Sequence, residues 1–310
     1  MRFELTEDQR DFRSSLGSLL SAADPVGVAR AWATGDQASG LALWKRLAEQ
    51  GVTALVTPEE HGGMGATAVE LVIAFEALGH HGVPGPWVES AAYLPRALTD
   101  AEALGALAEG AVGTVAVPPL VPYAVDADVA DHVFVATGCT LAAATVGEQR
   151  TSVDRTRHLF AVSAGARVGA GDLDAAFDLA VLAASAQLLG AGERILADSV
   201  SYVKQRKQFG REIGSYQAVK HALADVRIAL DFARPLVLGA ALGEVSAAAA
   251  KVAAGDAAYL ASRTGLQVHG AIGYTAELDL SIWITKVRAL VTAWGTPAHH
   301  RAAILHELVG

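Results

Sequence analysis

From Asp172 onward the chain reads as a run of long, alanine-rich helices, and that half dictates what the rest can be. Helical spacing of apolar residues predicts segments over Leu173–Lys204, Gln217–Gly255, Ala257–His269 and Asp279–Trp294. Their short links make consecutive helices antiparallel neighbours, and small side chains let helix axes approach closely, so a C-terminal four-helix bundle is expected over 172–310. Of the 310 residues, 52% are hydrophobic and only 18% charged, which leaves apolar surface for a large subunit interface. Residues 1–112 also read as helical. Thr6 can cap a first helix with Gln9 returning the bond, and Trp44, Leu47 and Ala48, then Val69, Val72 and Ile73, keep a helical period. Between 113 and 171 the period changes: Val115–Val117, His132–Val135 and His158–Val162 are short β-type runs separated by Pro, Gly and Asp. The expected fold is mainly α in three parts: an N-terminal helical domain, a small β domain and the bundle.

Composition excludes several roles. A net charge of -9 argues against nucleic acid as a partner, since phosphate neutralisation needs a basic face. The most apolar stretches, around 175–191 and 236–254, carry Asp178 in one and Glu244 and Lys251 in the other, so no membrane span is expected. Met1-Arg2-Phe3-Glu4 does not open a secretory signal, and a single Cys139 gives neither a disulfide framework nor a thiolate metal site. A cytoplasmic protein is expected. His80-His81 invites a metal reading, but adjacent helical residues point apart and no further ligand is spaced to help, so no metal is expected.

The most specific signal is Arg206-Lys207-Gln208-Phe209-Gly210, with Ile213 and Gln217 following. Arg206 offers a planar fork of donors suited to a pyrophosphate, and Phe209 a flat face for a ring system. A second segment, Gln267-Val268-His269-Gly270-Ala271-Ile272-Gly273-Tyr274, places two glycines where backbone can approach a ligand or take positive φ; simple C-capping at Gly270 is the alternative. Together the two segments resemble the FAD-binding signatures of the acyl-CoA dehydrogenase family, in which they reach across a subunit interface. The resemblance implies FAD contacts from Arg206, Gln208, Phe209, Gln217, Gln267, Val268, His269, Gly270, Gly273 and Thr296. Pro58-Glu59-Glu60-His61-Gly62-Gly63 resembles a loop of the family's N-terminal domain near the acyl pocket. The resemblance spans nearly the whole chain, strongest over 190–296 and weakest in the middle. There the family's Thr-Glu-x-x-x-Gly-Ser-Asp and Trp-Ile-(Thr/Ser) segments are both absent, and Asp154-Arg155-Thr156-Arg157 looks like the shorter hinge of a truncated subclass.

The chemistry the resemblance implies is α,β-dehydrogenation of an acyl-CoA thioester: a carboxylate removes the α-proton while the flavin accepts the β-hydride. In most members the base is the Glu of a Tyr-Glu-Gly-Thr segment, and counting forward places Trp294 there, before Gly295-Thr296. An indole accepts no proton at neutral pH. Members that carry the base on the first long C-terminal helix would place it at Ala180; Asp178, two residues away, is turned by about 200° on a helix. Two readings follow. In one, the chain is a FAD-binding, non-catalytic subunit that meets a homologous acyl-CoA dehydrogenase subunit in a 2:2 heterotetramer, the partner supplying the base. Its acyl-CoA substrate is then a bulky ester such as a steroid side-chain thioester. In the other it is a self-sufficient homo-oligomeric dehydrogenase using Asp178. A flavin-free scaffold of the same fold is the third option.

Overall fold

The computed structural model describes residues 3–309; Met1 and Arg2, the start of the segment read above as no secretory signal, lie outside the described residues. Six helices open the chain: α1 (Glu7–Ser21), α2 (Pro25–Trp32), α3 (Ala38–Glu49), α4 (Ala68–His81), α5 (Leu94–Ala97) and α6 (Ala101–Ala108). The expected capping box is present, with Thr6 Oγ1 accepting from the Gln9 N–H at 3.2 Å and Gln9 Oε1 from the Thr6 N–H at 3.0 Å. A π-turn over Glu89–Tyr93 leads into α5.

The middle segment forms one five-stranded sheet from β1 (Gly113–Ala116), β2 (Ala124–Val125), β3 (His132–Thr137), β4 (Thr140–Arg150) and β5 (Leu159–Val168), in the order β1-β3-β4-β5-β2. Only the β1–β3 pair is parallel. Strand β4 gave no sequence signal because its outer half, Val146–Arg150, is exposed and lacks apolar alternation. The loop joining β4 to β5 is pinned from beneath: Asp154 is buried and meets Lys286 Nζ at 3.3 Å.

The C-terminal half consists of α7 (Leu173–Gln205), a hairpin of β6 (Lys207–Gln208) and β7 (Arg211–Glu212), then α8 (Gln217–Ala241), α9 (Ala247–His269), α10 (Leu280–Thr292) and α11 (Pro297–Val309). Helices α7 to α10 make the expected bundle, with two differences from the sequence reading. The stretch expected as one helix from Gln217 to Gly255 is two, because Gly243 takes φ 74° and Ser246 caps a new helix; Gly255 lies inside α9. Helix α11, which was not expected, packs on α9. By length and composition α7 is the one helix among the described residues able to cross a membrane, yet 78% of its most apolar window is buried within the fold.

One hydrophobic core runs through all three segments, joining Phe75 and Leu78 of α4, Val115 of β1, Leu188 and Leu189 of α7 and Trp283 of α10. Helices α4 and α7 touch backbone to backbone: a Cβ at Gly190 would stand 2.0 Å from the Glu76 carbonyl oxygen. A part-buried ion network crosses the same contact, Glu193 of α7 accepting from Arg227 at 2.7 Å and Arg234 at 2.9 Å, while Arg234 also donates to Glu76 at 2.8 Å.

Helix α2 is tied to the sheet by Asp126, which is fully buried; its Oδ1 accepts from Trp32 Nε1 at 3.1 Å and the His158 N–H at 3.0 Å, and its Oδ2 has no partner. Burial pushes this carboxyl up to about 7 from an ordinary 3.8. The folded state therefore holds a proton that the unfolded state releases. The resulting stabilisation is complete below the unfolded value and is lost as pH rises toward 7. Asp126→Asn keeps the Oδ1 acceptor and removes the titration. In urea melts at pH 4, 5, 6 and 7 the wild-type stability is expected to fall relative to the variant; a constant difference over that range would refute the assignment.

Candidate functional site

Two segments identified in the sequence meet at the ends of α7 and α9. Helix α7 stops at Gln205, and the chain reverses through a two-residue turn at Phe209 (φ 51°) and Gly210 (φ 79°) between β6 and β7. Positive φ at both central positions is the type I′ geometry, whose twist matches a hairpin. A phenyl side chain disfavours that backbone, and the turn sets it on the outside, 89% exposed. Arg206 and Gln208 are exposed, and neither side chain has a hydrogen-bond or ion-pair partner among the described residues. Their backbones are fixed: the Arg206 N–H donates to Tyr202 O at 2.9 Å, and its carbonyl accepts from Ile213 at 2.9 Å. The Arg211 guanidinium sits 3.9 Å over the Tyr216 ring and stiffens the hairpin. Gln217 is exposed at the first turn of α8.

At the end of α9, Gly270 takes φ 63° and ψ -138°, and nothing lies within 4 Å of where its Cβ would be. Gly270 thus caps the helix and also leaves an open approach to the backbone. Gln267 is exposed and Val268 half-buried. Two expectations need correction. His269 is buried, its Nδ1 2.8 Å from Gly265 O and its ring stacked on Tyr202 at 4.2 Å, so its side chain joins α9 to α7 and only its backbone is left for a ligand contact. Gly273 does not take positive φ; it is buried, and a Cβ there would press on Leu266 at 3.1 Å. The Tyr202–His269 stack holds the two segments together at their bases, four residues before Arg206 and one before Gly270. A free guanidinium, an outward phenyl face and an uncovered glycine fit a dinucleotide such as FAD.

The base positions are closed. Trp294 is fully buried with φ 56°, its ring 5.2 Å from Tyr93 and 5.7 Å from Phe177. Beneath it lies Glu89, also buried, whose carboxyl is raised by burial. The indole lies near enough to oppose that shift, yet neither Trp294 Nε1 nor Glu89 Oε1 makes a hydrogen bond of good geometry. Lys251 of α9 closes the other side: its Nζ donates to Ala293 O at 2.7 Å and caps α10, and burial lowers its amine to about 7. Thr296 is exposed, with its Oγ1 accepting from the His299 N–H at 3.2 Å as the cap of α11. Glu89 escaped the sequence reading, and Lys251 entered it only as a charge that interrupts an apolar stretch; for both the sign available was a charge inside an apolar run.

Ala180 is fully buried, whereas Asp178 is exposed at the mouth of a cavity of about 620 Å³ that Arg96 and His299 also line. Partial desolvation there raises its carboxyl, followed by repulsion from Asp174, Glu307 and Asp172. The structure brings Arg206, Gln208, Phe209, Gln267 and Gly270 onto connected segments and leaves Asp178 on a different face of α7 from Ala180.

Residues 6–99 match the acyl-CoA dehydrogenase N-terminal domain and residues 169–309 the acyl-CoA dehydrogenase C-terminal domain. Among curated proteins, the acyl-CoA dehydrogenase IpdE2 of Mycobacterium tuberculosis is 35% identical over 291 residues, covering 90% of this chain and 91% of that one. The fold is shared with the ChsE4-ChsE5 complex from Mycobacterium tuberculosis (TM-score 0.81, 23% identity, 99% of each chain). It is shared too with the Tcur3481-Tcur3483 steroid ACAD (TM-score 0.82, 21% identity, 98% of this chain and 99% of that one). With both terminal domains matched and a relative aligned along nine-tenths of its length, the chain belongs to the acyl-CoA dehydrogenase family.

Proposed function

We propose that this chain is the FAD-binding, non-catalytic subunit of a heteromeric acyl-CoA dehydrogenase, assembled with a homologous subunit that supplies the base. The observation that carries the reading is the contrast between its two ends. The Arg206–Phe209 hairpin stands free and outward, while Trp294, at the family's base position, is buried between Tyr93 and Phe177. FAD, when bound, supplies the acceptor for the β-hydride. This chain's part is to hold it: the Arg206 fork for the pyrophosphate, Phe209 for a ring face, and Gln267 with the uncovered Gly270 backbone for the far half. Exposed Phe209 (89%), Tyr274 (78%) and, on α8, Phe232 (74%) and Ile228 (53%) give apolar surface of the kind a subunit partner covers. Solved relatives whose names pair two chains support a heteromeric assembly, for which we propose a 2:2 stoichiometry, and the steroid acyl-CoA dehydrogenase among them supports a bulky acyl group as substrate.

The test is flavin retention. Co-expressed with its partner, the chain is expected to yield a yellow assembly carrying about one FAD per heterodimer. Arg206→Ala removes a charge-assisted contact worth roughly 1.5–3 kcal/mol, a 10- to 150-fold loss of affinity. Flavin content measured by absorbance after gel filtration should drop accordingly. Unchanged flavin in the variant, or an active yellow homo-oligomer of this chain alone, would refute the proposal.

A further inference from the structure

Between α2 and the sheet lies a cavity of about 490 Å³ that the flavin grip does not use. One wall is the loop joining β4 to β5, which in a chain of net charge -9 brings Arg150, Arg155 and Arg157 together with the hydroxyls of Thr151 and Ser152. Arg150 pairs with Glu148 at 3.1 Å. Arg155 and Arg157 have no hydrogen-bond or ion-pair partner among the described residues.

Arg155 is exposed, but Arg157 is half-buried. Its charge reaches three buried groups, Glu89, Asp126 and Lys251, and in each works against the protonated form. The two acids that line the cavity are engaged elsewhere, Asp154 by Thr156 and Lys286 and Asp128 by Gln37, so neither pairs with the guanidinium. A cation drawn partly out of water without a counter-charge is unfavourable, and an oxyanion supplies that charge in the geometry a guanidinium fork prefers.

The loop is already shaped to receive one. The buried Asp154 carboxylate accepts from the Thr156 N–H at 2.9 Å and the Thr156 hydroxyl at 2.8 Å, and Lys286 Nζ lies 3.3 Å from it and 3.0 Å from Thr156 Oγ1. Thr156 is thereby fixed, and with it the backbone of the two arginines on either side. What remains to be ordered on binding is the two arginine side chains.

A cation is the competing occupant, because Asp126, Asp128 and His158 present ligand atoms within 4.8 Å of one another. His158 Nδ1 lies 3.5 Å from Asp126 and 3.6 Å from Asp128, spacings too long for good hydrogen bonds. Gln37 Nε2 already occupies that space, 3.3 Å from His158 Nδ1 and 2.7 Å from Asp128. Two unpaired guanidiniums beside it decide the sign against a metal ion.

We propose that the β4–β5 loop is a phosphate-binding site in which Arg155 and Arg157 grip a phosphate or pyrophosphate group, separate from the flavin grip at Arg206. The test is titration calorimetry on the full-length chain assembled with its partner, with inorganic phosphate, pyrophosphate, ADP and, separately, Mn²⁺. Saturable binding of phosphate-bearing ligands that weakens with added salt is expected. A preference for ADP over both inorganic ions identifies a nucleotide as the source, and equal affinities identify free phosphate. Arg157→Gln and Arg155→Gln should each weaken binding by roughly tenfold or more with unchanged melting temperature. Arg206→Ala should leave it intact, so failure here is distinguishable from failure of the flavin reading. Absence of saturable phosphate binding, equal affinity in Arg157→Gln, or uptake of Mn²⁺ in place of phosphate would overturn the proposal.

Discussion

Asp178→Asn should leave turnover of the assembled enzyme within a few-fold of wild type, whereas Glu→Gln at the partner's base should lower it by about 10²–10⁴, the range for losing a general base. Asp178 is open to solvent on α7 beside three other acids, and Ala180, where an alternative base would stand, is packed in the core. The comparison needs stopped-flow reduction of the flavin by substrate, together with melting curves, since Asp178 lines a cavity with Arg96 and His299 and its loss could perturb folding. Abolished flavin reduction in Asp178→Asn, with FAD bound and the assembly intact, would transfer the base to this chain and replace the non-catalytic reading by the self-sufficient one.

Trp294→Ala should be the most destabilising single change at the former base position, at about 3–5 kcal/mol, the usual cost of removing a buried Trp. Its indole fills the space between Tyr93 and Phe177 over Glu89, and truncation leaves that carboxyl lining a void. A fall in melting temperature on the order of 10 °C is expected by calorimetry. Trp294→Glu should fare no better, because the restored carboxyl would be buried beside Glu89, with which it would share the one nearby charge of Arg157, while Lys251 already donates to three carbonyls at the end of α10. Melting within 2 °C of wild type for either variant would mean that the site is open and the indole dispensable.

Much of the architecture was legible because it rests on local signals. The Thr6–Gln9 box and the three β-type runs each depend on residues a few positions apart. The helix break at 242–246 carried its own marks, Gly243 as a stop and Ser246 as a start, but apolar periodicity on both sides masked them. Thr296-Pro297 likewise announced α11 as a cap followed by a proline at the first helical position. What sequence could not show was contact at a distance. His269 looks like a ligand residue until Tyr202 stacks on it, and Glu89, Lys251 and Trp294 are brought together only by packing α9 and the α10–α11 link against the N-terminal helices.

The turn at Phe209 has an evolutionary corollary. An isolated chain optimised for folding would carry Asn or Gly there, residues for which a left-handed backbone is nearly free, and would be the more stable for it. Holding a phenyl ring in that conformation, with most of its surface in water, places the residue that folds best and the residue that assembles best at odds. If Phe209 meets a flavin or a partner as proposed, selection on the monomer and selection on the complex pull position 209 in opposite directions, and an aromatic ring held at φ 51° is what the second would leave.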